Sequence, residues 1–432
     1  MVHVPGDKSI SHRYAMLASV ARGTSRFHNF SAARDCASTL GCIAALGAGW
    51  KQVNHPSADL PESDGQNGVA KNGGSIEVAG TGAALQAPAG PLDCGNSGST
   101  MRMLSGILAG QPFTAELFGD ESLSRRPMAR IIKPLSEMGA TITSSDGGRP
   151  PLKIRGGALR AIHYKPEVAS AQVKSCVLFA GLFAQGETMV EEPIRTRDHG
   201  ELALQAFGAE IQRQGTSTRI RGGERLSAIE AHVPGDLSSA AFFLCAATLF
   251  PGSHISLPGI LMNPTRARLL DILTAMGLRI SIGHIEQHHG ELIGSIEARG
   301  AKWLGGTIAG ADTAALIDEI PVLAAVAPYS ENGLEVRDAK ELRVKESDRV
   351  AAVTGNLRKM GAQVEERPDG FRIPGGQELH GAELDSYGDH RIAMAFAVAA
   401  LRAQDETCIR GADAAGVSYP AFFTDLGAIA EP

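Results

Sequence analysis

Pro5-Gly6-Asp7-Lys8-Ser9-Ile10-Ser11-His12-Arg13 opens the chain, and its pattern returns in part as Pro234-Gly235-Asp236-Leu237-Ser238, about half of the 432 residues further on. Turn residues, a short acid and a serine ahead of an apolar run read as a helix entrance. The return at mid-chain predicts a duplicated half, with the crossing near Val233. A finer repeat supports this. A bulky apolar residue, a glycine and a small or apolar residue close six helical patterns: Leu46-Gly47-Ala48, Met138-Gly139-Ala140, Phe207-Gly208-Ala209, Met276-Gly277-Leu278, Met360-Gly361-Ala362 and Leu426-Gly427-Ala428. Glycine just past a helix end can take the left-handed conformation that caps it. Strand-like residues follow the first five, and the sixth runs out at the C-terminus. A polar run over 52–74 lengthens the first interval and reads as an inserted surface loop. Without it the period is roughly 70–80 residues, too long for a common solenoid unit. Six such units fit two domains of three.

A second helix recurs once per unit behind small or polar residues: Ser9-Ile10-Ser11, Ser97-Gly98-Ser99-Thr100, Ser170-Ala171-Gln172, Ser238-Ser239, Asp318-Glu319 and Asp389-His390. The stretches that follow, such as 240–249 and 392–401, are almost wholly apolar, as in a buried helix. Each unit thus pairs a buried helix with an amphipathic one, separated by strands, and the class is α/β. Any one polar start is as readily an N-cap as a ligand contact.

Composition narrows the function. Apolar residues make up 43% and charged residues 20%, as in a globular protein. A net charge of −6 argues against a broad nucleic-acid or membrane surface, and 5% aromatics leave few stacking platforms for single strands. The six cysteines are scattered without a C-x-x-C pair, so neither a zinc site nor a disulfide framework is expected. No run reaches the roughly 20 apolar residues of a membrane span, and the N-terminus lacks a signal-peptide pattern. The expected location is cytoplasmic.

Against this background the cations cluster at helix starts. In the opening segment, unpaired backbone N–H groups favour an anion, Lys8 adds a point charge, and Arg13 can grip phosphate with a planar fork. The spacing G-x-x-x-x-G-K-[ST] is absent, so nucleotide binding is not indicated. Gly95 to Arg102 brings two glycines that allow close backbone approach. Arg125-Arg126-Pro127 is expected to begin a helix, and Ser170 to Ser175 offers polar side chains for hydroxyls. Arg343-Val344-Lys345-Glu346-Ser347-Asp348-Arg349 and Asp389-His390-Arg391 complete the set. Taken singly, an arginine cluster is more often a solvated face, and Asp318 is as readily an N-cap as a base. Cations at several helix starts of a repeat protein shift that balance towards phosphorylated ligands.

These segments, with Gly119 to Met128, Arg197-Asp198-His199, Asp318 to Pro321 and Tyr419-Pro420, resemble those of the 5-enolpyruvylshikimate-3-phosphate synthases from Pro5 to Phe423. Ser-Ala-Gln-Val-Lys-Ser is similar to the bacterial class II branch. The resemblance implies two domains, each of three βαβαββ units with buried helices around a central cleft: 8–232 as the first, and 1–7 plus 233–432 as the second. It implies transfer of the enolpyruvyl group of phosphoenolpyruvate to the 5-hydroxyl of shikimate 3-phosphate with release of phosphate, on the route to chorismate. It implies that Lys8, Ser9, Arg13, Ser170, Gln172, Arg197 and Lys345 hold shikimate 3-phosphate. Gly98, Arg126, Arg349 and Arg391 would hold phosphoenolpyruvate, with help from Gln172 and Lys8. Asp318 would be the base and Glu346 the acid–base partner. The field of Lys345 and Arg349 would keep Glu346 ionised between turnovers. No cofactor or metal is expected, and the expected assembly is a monomer.

Three departures from the family pattern stand out. Ser99 replaces the usual threonine but keeps the hydroxyl. Val417 stands where some members carry a lysine, as fits class II. Only Met1 to Val4 precede the opening motif, so the strand that normally leads into it from the second domain is expected to be missing. A sister enzyme, acting on a UDP-sugar, uses a reactive loop cysteine, and no cysteine here sits in such a motif. A catalytically silent phosphometabolite-binding protein is the remaining alternative, and the joint presence of Asp318, Lys345 and Glu346 argues against it.

Overall fold

The computed structural model describes residues 1–53 and 74–430. The chain forms two compact units. One comprises Gly6–Val233 with His288–Glu291; the other comprises Met1–Pro5, Pro234–Gln287 and the chain from Leu292 on.

One sheet pattern recurs in both. Leu92–Asp93, Thr114–Phe118, Arg149–Arg155 and Thr141–Ser145 lie side by side in that order. The first pair is parallel and the other two are antiparallel. Parallel neighbours need a crossover, and the buried helix Gly98–Ala109 supplies it. The antiparallel pair is a hairpin fed by the amphipathic helix Ala129–Met138. His163–Tyr164, Glu187–Glu191, Ser217–Arg221 and Ile211–Gln214 repeat the order. So do Gly306–Ile308, Leu334–Val336, Gly370–Ile373 and Glu365–Arg367. Strand burial follows the pleat: Arg149–Arg155 alternates exposed and buried residues along its length.

The first repeat completes its sheet from a distance. Thr24–Phe30 takes its parallel neighbour from Glu230–His232. In the other unit, His254–Leu261 has Glu291–Arg299 on one side. The Val2 N–H donates to the Ser256 carbonyl at 2.9 Å, and Val2 and Val4 are buried in that unit's core. Met1 to Val4 is assigned no strand, but it packs beside one.

The glycine-closed helices appear where the sequence put them, with one exception. Gly47, Gly139, Gly208, Gly277 and Gly361 all have positive φ, between 88° and 114°. Each follows a helix and precedes a strand. Gly427 lies inside the helix Phe422–Ile429 and caps nothing. The surface loop expected over 52–74 lies outside the described residues except at its ends. There Gln52, Val53 and Gly74 belong to the paired strands Gly49–Val53 and Gly74–Ala79, a tighter boundary than expected.

The second set of helices is buried as their composition requires. Every residue of Leu237–Leu249 is buried. Gly98–Ala109 and Ala171–Gly181 approach so closely that a Cβ on Gly106 would lie 2.1 Å from the Cys176 carbonyl oxygen. Among the described residues no helix is long and apolar enough to cross a membrane.

Candidate active site

In the unit of Gly6–Val233 three buried helices start beside one another. Asp7 caps Lys8–Val20 by accepting from the Ile10 N–H at 2.9 Å. Ser97 caps Gly98–Ala109 and Ser170 caps Ala171–Gly181. Ser170 thus plays the capping role that its position allowed from the start. The starts are tied across repeats. Lys8 Nζ lies 2.8 Å from Asp35 Oδ2, and the Asp35 carbonyl accepts from Thr100 Oγ1 at 3.4 Å. Gln172 Nε2 donates to Ser99 Oγ at 2.9 Å, so the hydroxyl kept at Ser99 is in use.

Arg13 is 3% exposed. Its guanidinium donates to Ser175 Oγ at 3.2 and 3.0 Å and to the Ser9 carbonyl at 2.8 Å. Ser9 therefore meets Arg13 through its backbone. Burial pulls the Arg13 pKa down to about 10, while Glu201 and Asp7 pull it up and the nearby Arg197 pulls it down. At neutral pH the group stays charged.

A second cationic group surrounds Gly98. Arg126 donates to Asn96 Oδ1 at 2.7 Å and to Ser122 Oγ at 3.1 Å. A Cβ on Gly98 would stand 2.9 Å from Arg102 Nη1 and 3.4 Å from Arg126 Nη1. Glycine here lets two guanidinium groups close over one helix start. Arg102 donates to Gln172 Oε1 at 2.8 Å. Arg102 closes the Gly95 to Arg102 segment but is not among the site residues expected from sequence. Its signal was the four-residue spacing from Gly98, which puts both on one helix face. Asp35 was missed as well, since nothing local marks it as the partner of Lys8. Arg125-Arg126-Pro127 does not begin a helix: it links Glu121–Ser124 to Ala129–Met138. That link leaves Arg126 turned onto the Asn96 loop.

The unit from Pro234 onward gathers its own helix starts. Asp318 was open to reading as an N-cap, but the cap of Ile320–Val326 is Glu319 and no side chain bonds there. The Asp318 carboxylate faces cations instead. Lys345 Nζ and Arg349 Nη1 are each 3.6 Å from Oδ1, and Arg391 Nε is 4.0 Å away. Arg391 also donates to the Asp318 carbonyl at 2.7 Å. Arg349 is 1% exposed and donates to Asp389 Oδ2 at 2.8 Å and Glu346 Oε2 at 2.7 Å. Burial alone would lower its pKa; Asp389, Glu346 and Asp318 outweigh burial and raise it. Asp389 in turn caps His390–Ala400 through the Arg391 N–H.

Of the site residues expected from sequence, Lys8, Ser9, Arg13, Gly98, Arg126, Ser170, Gln172 and Arg197 thus fall in one unit. Asp318, Lys345, Glu346, Arg349 and Arg391 fall in the other as one connected cluster. Each group combines several cations with helix N-termini, an arrangement built to hold anions.

The cysteines offer no competing nucleophile at these helix starts. Cys36, Cys42, Cys94, Cys176 and Cys245 are buried, and Cys408 is exposed on the strand Cys408–Arg410. Burial pushes the Cys36, Cys176 and Cys245 thiols well up. Among the described residues no group of three or more His, Cys, Asp and Glu stands together as a metal ligand set.

The fold is that of the two-domain enolpyruvyl transferases. It matches the solved structure of EPSP synthase from Acinetobacter baumannii with a TM-score of 0.84 and 37% identity, over 99% of this chain and 95% of that one. A family model described as EPSP synthase (3-phosphoshikimate 1-carboxyvinyltransferase) matches residues 1–426. The 3-phosphoshikimate 1-carboxyvinyltransferase of Koribacter versatilis (strain Ellin345) is 58% identical over 430 residues, 100% of this chain and 96% of that protein. Its counterpart in Solibacter usitatus (strain Ellin6076) is 54% identical over 431 residues, 100% of this chain and 97% of that protein. The chain belongs to the EPSP synthase family.

Proposed function

We propose that the protein transfers the enolpyruvyl group of phosphoenolpyruvate to the 5-hydroxyl of shikimate 3-phosphate and releases phosphate. The observation that carries this reading is Asp318 ringed by Lys345, Arg349 and Arg391, with Glu346 bonded to Arg349 beside it. Two carboxylates among three cations can hold a doubly anionic substrate and still move protons. In the reaction the acceptor hydroxyl adds to C2 of phosphoenolpyruvate as C3 gains a proton. The intermediate then loses a C3 proton and its phosphate, so one C–O bond forms and one breaks. Asp318 serves as the base, and Glu346 as the group that gives and retrieves the proton. Lys8, Ser9, Arg13, Ser170, Gln172, Arg197 and Lys345 hold shikimate 3-phosphate. Gly98, Arg126, Arg349 and Arg391 hold phosphoenolpyruvate, with Lys8 and Gln172 reaching both. Residues 8–232 act as one functional domain and 1–7 plus 233–432 as the other. The reading places the enzyme in the cytoplasm as a monomer and invokes no metal or cofactor.

The purified protein, mixed with phosphoenolpyruvate and shikimate 3-phosphate, should release inorganic phosphate. A UDP-sugar acceptor should give none. Asp318→Ala should lower kcat by about 100-fold or more while the fold, followed by circular dichroism, is kept. Binding of both substrates without phosphate release would sink the reading, as would turnover with the UDP-sugar alone.

A further inference from the structure

Lys174 sits in the Ser170 to Ser175 segment, yet the chemistry above does not use it. It points inward. Its side chain is 2% exposed, as are those of Glu192 and Glu201, and Nζ lies 2.7 Å from Glu192 Oε2 and 2.7 Å from Glu201 Oε1. Burying three charges costs several kcal/mol for each ion before pairing offsets it. The neighbours Val173, Cys176 and Val177 are apolar and buried, so an apolar residue at 174 would avoid that cost. The three charges sum to a net negative one, and arginines stand around it: Glu201 is the foremost of the charges that raise the Arg13 pKa, and Arg195 and Arg213 line the same cavity as the two glutamates.

The two carboxylates stand at either end of the segment that carries Arg197. Glu192 accepts the Thr196 N–H on Oε2 at 3.3 Å and the Thr196 hydroxyl on Oε1. Glu201 lies in the first turn of the helix His199–Ala206. Gly200, just before it, packs so tightly that a Cβ would meet Ser175 Oγ at 2.5 Å, with Arg13 Nε 3.6 Å away. Residues 192–201 therefore close on one ammonium from both ends, with Arg197 between them and Arg13 against the closure.

We propose that Lys174 is a positioning residue: its ammonium clamps segment 192–201 and so sets Arg197 and Arg13 for the phosphate of the acceptor. The proposal rests on the assignment of that phosphate to Arg13 and Arg197 made above. Lys174 touches no reacting atom and makes or breaks no bond.

Kinetics on the full chain test it. In Lys174→Met the KM for shikimate 3-phosphate should rise about tenfold, while kcat and the KM for phosphoenolpyruvate stay within about twofold. Lys174→Met with Glu192→Gln removes one of the two stranded charges and leaves Glu201 with Arg13. It should recover at least about threefold of the loss. A cavity left by the lysine would be untouched by the second change, so failure to recover overturns the clamp, as does an equal rise in both KM values. If Lys174→Met does not fold, Thr196→Val cuts the hold of Glu192 on the segment without stranding a charge. It should raise the same KM about threefold, since about one hydrogen bond is lost, and an unchanged KM overturns the proposal. A parent enzyme that releases no phosphate refutes the functional reading. A parent that releases it, with Lys174→Met indistinguishable from it, refutes the clamp alone.

Discussion

At Gly98 a single missing methyl group decides how closely two arginines approach. The atoms that a Cβ would meet, Arg102 Nη1 and Arg126 Nη1, are the far ends of flexible side chains. They can give way by a few tenths of an ångström without disturbing the core. Gly98→Ala should therefore leave thermal stability nearly unchanged and raise the KM for phosphoenolpyruvate about tenfold, because it misplaces the guanidinium groups. Steady-state kinetics and a melting curve on the same preparation check both halves. The sequence made some of this site legible and not the rest, for a physical reason. Glu346 and Arg349 are three apart in one quoted segment, and the short chain leading into the helix at Arg349 is enough to bring them into contact. Asp389, which holds the same arginine, is forty residues further on, and only the packing of one repeat on the next brings it there. Asp35 is hidden on the same ground, since its partner Lys8 belongs to another element.

At the scale of elements, periodicity did most of the work. Glycine-closed helices and apolar helices marked the repeats because each has a local cause, a left-handed cap in one case and burial on all sides in the other. Strand order was not legible, since pairing across tens of residues leaves no local trace. The contact at Gly106 shows what the apolar helices need of one another. A Cβ there would meet the backbone carbonyl of Cys176 at 2.1 Å, and backbone cannot swing aside. Gly106→Ala should push Gly98–Ala109 away from Ala171–Gly181 and cost about 2 kcal/mol in urea denaturation. The loss should be about twice that of an alanine at Gly208, where nothing lies within 4 Å and only the positive φ adds a penalty, of roughly 1 kcal/mol.

For the whole molecule, a buried histidine ties global stability to acid pH. His12 is fully buried, and Nδ1 lies 2.7 Å from Thr39 Oγ1. Burial holds its pKa well below 6.5, and Lys8 and Arg13 add to the shift. Above about pH 6.5 the ring is neutral in both folded and unfolded chains and contributes no pH dependence. As pH falls through that value the unfolded chain takes up a proton that the folded chain refuses. Stability is then lost, by at most about 1.4 kcal/mol for each pH unit, until the folded ring also titrates. Denaturation of the parent at pH 7.5 and pH 5.5 should show a larger loss than in His12→Asn, by about 1 kcal/mol; equal losses would contradict it. The borrowed strand of the first repeat has a consequence for synthesis. Thr24–Phe30 waits for Glu230–His232, so the opening sheet cannot be finished while the ribosome is still making the first two hundred residues or so. Met1–Pro5, which packs with the chain beyond Pro234, must wait longer still. Residues 1–5 leave the ribosome well before the chain they pack with, and they stay unburied until residues beyond Pro234 follow.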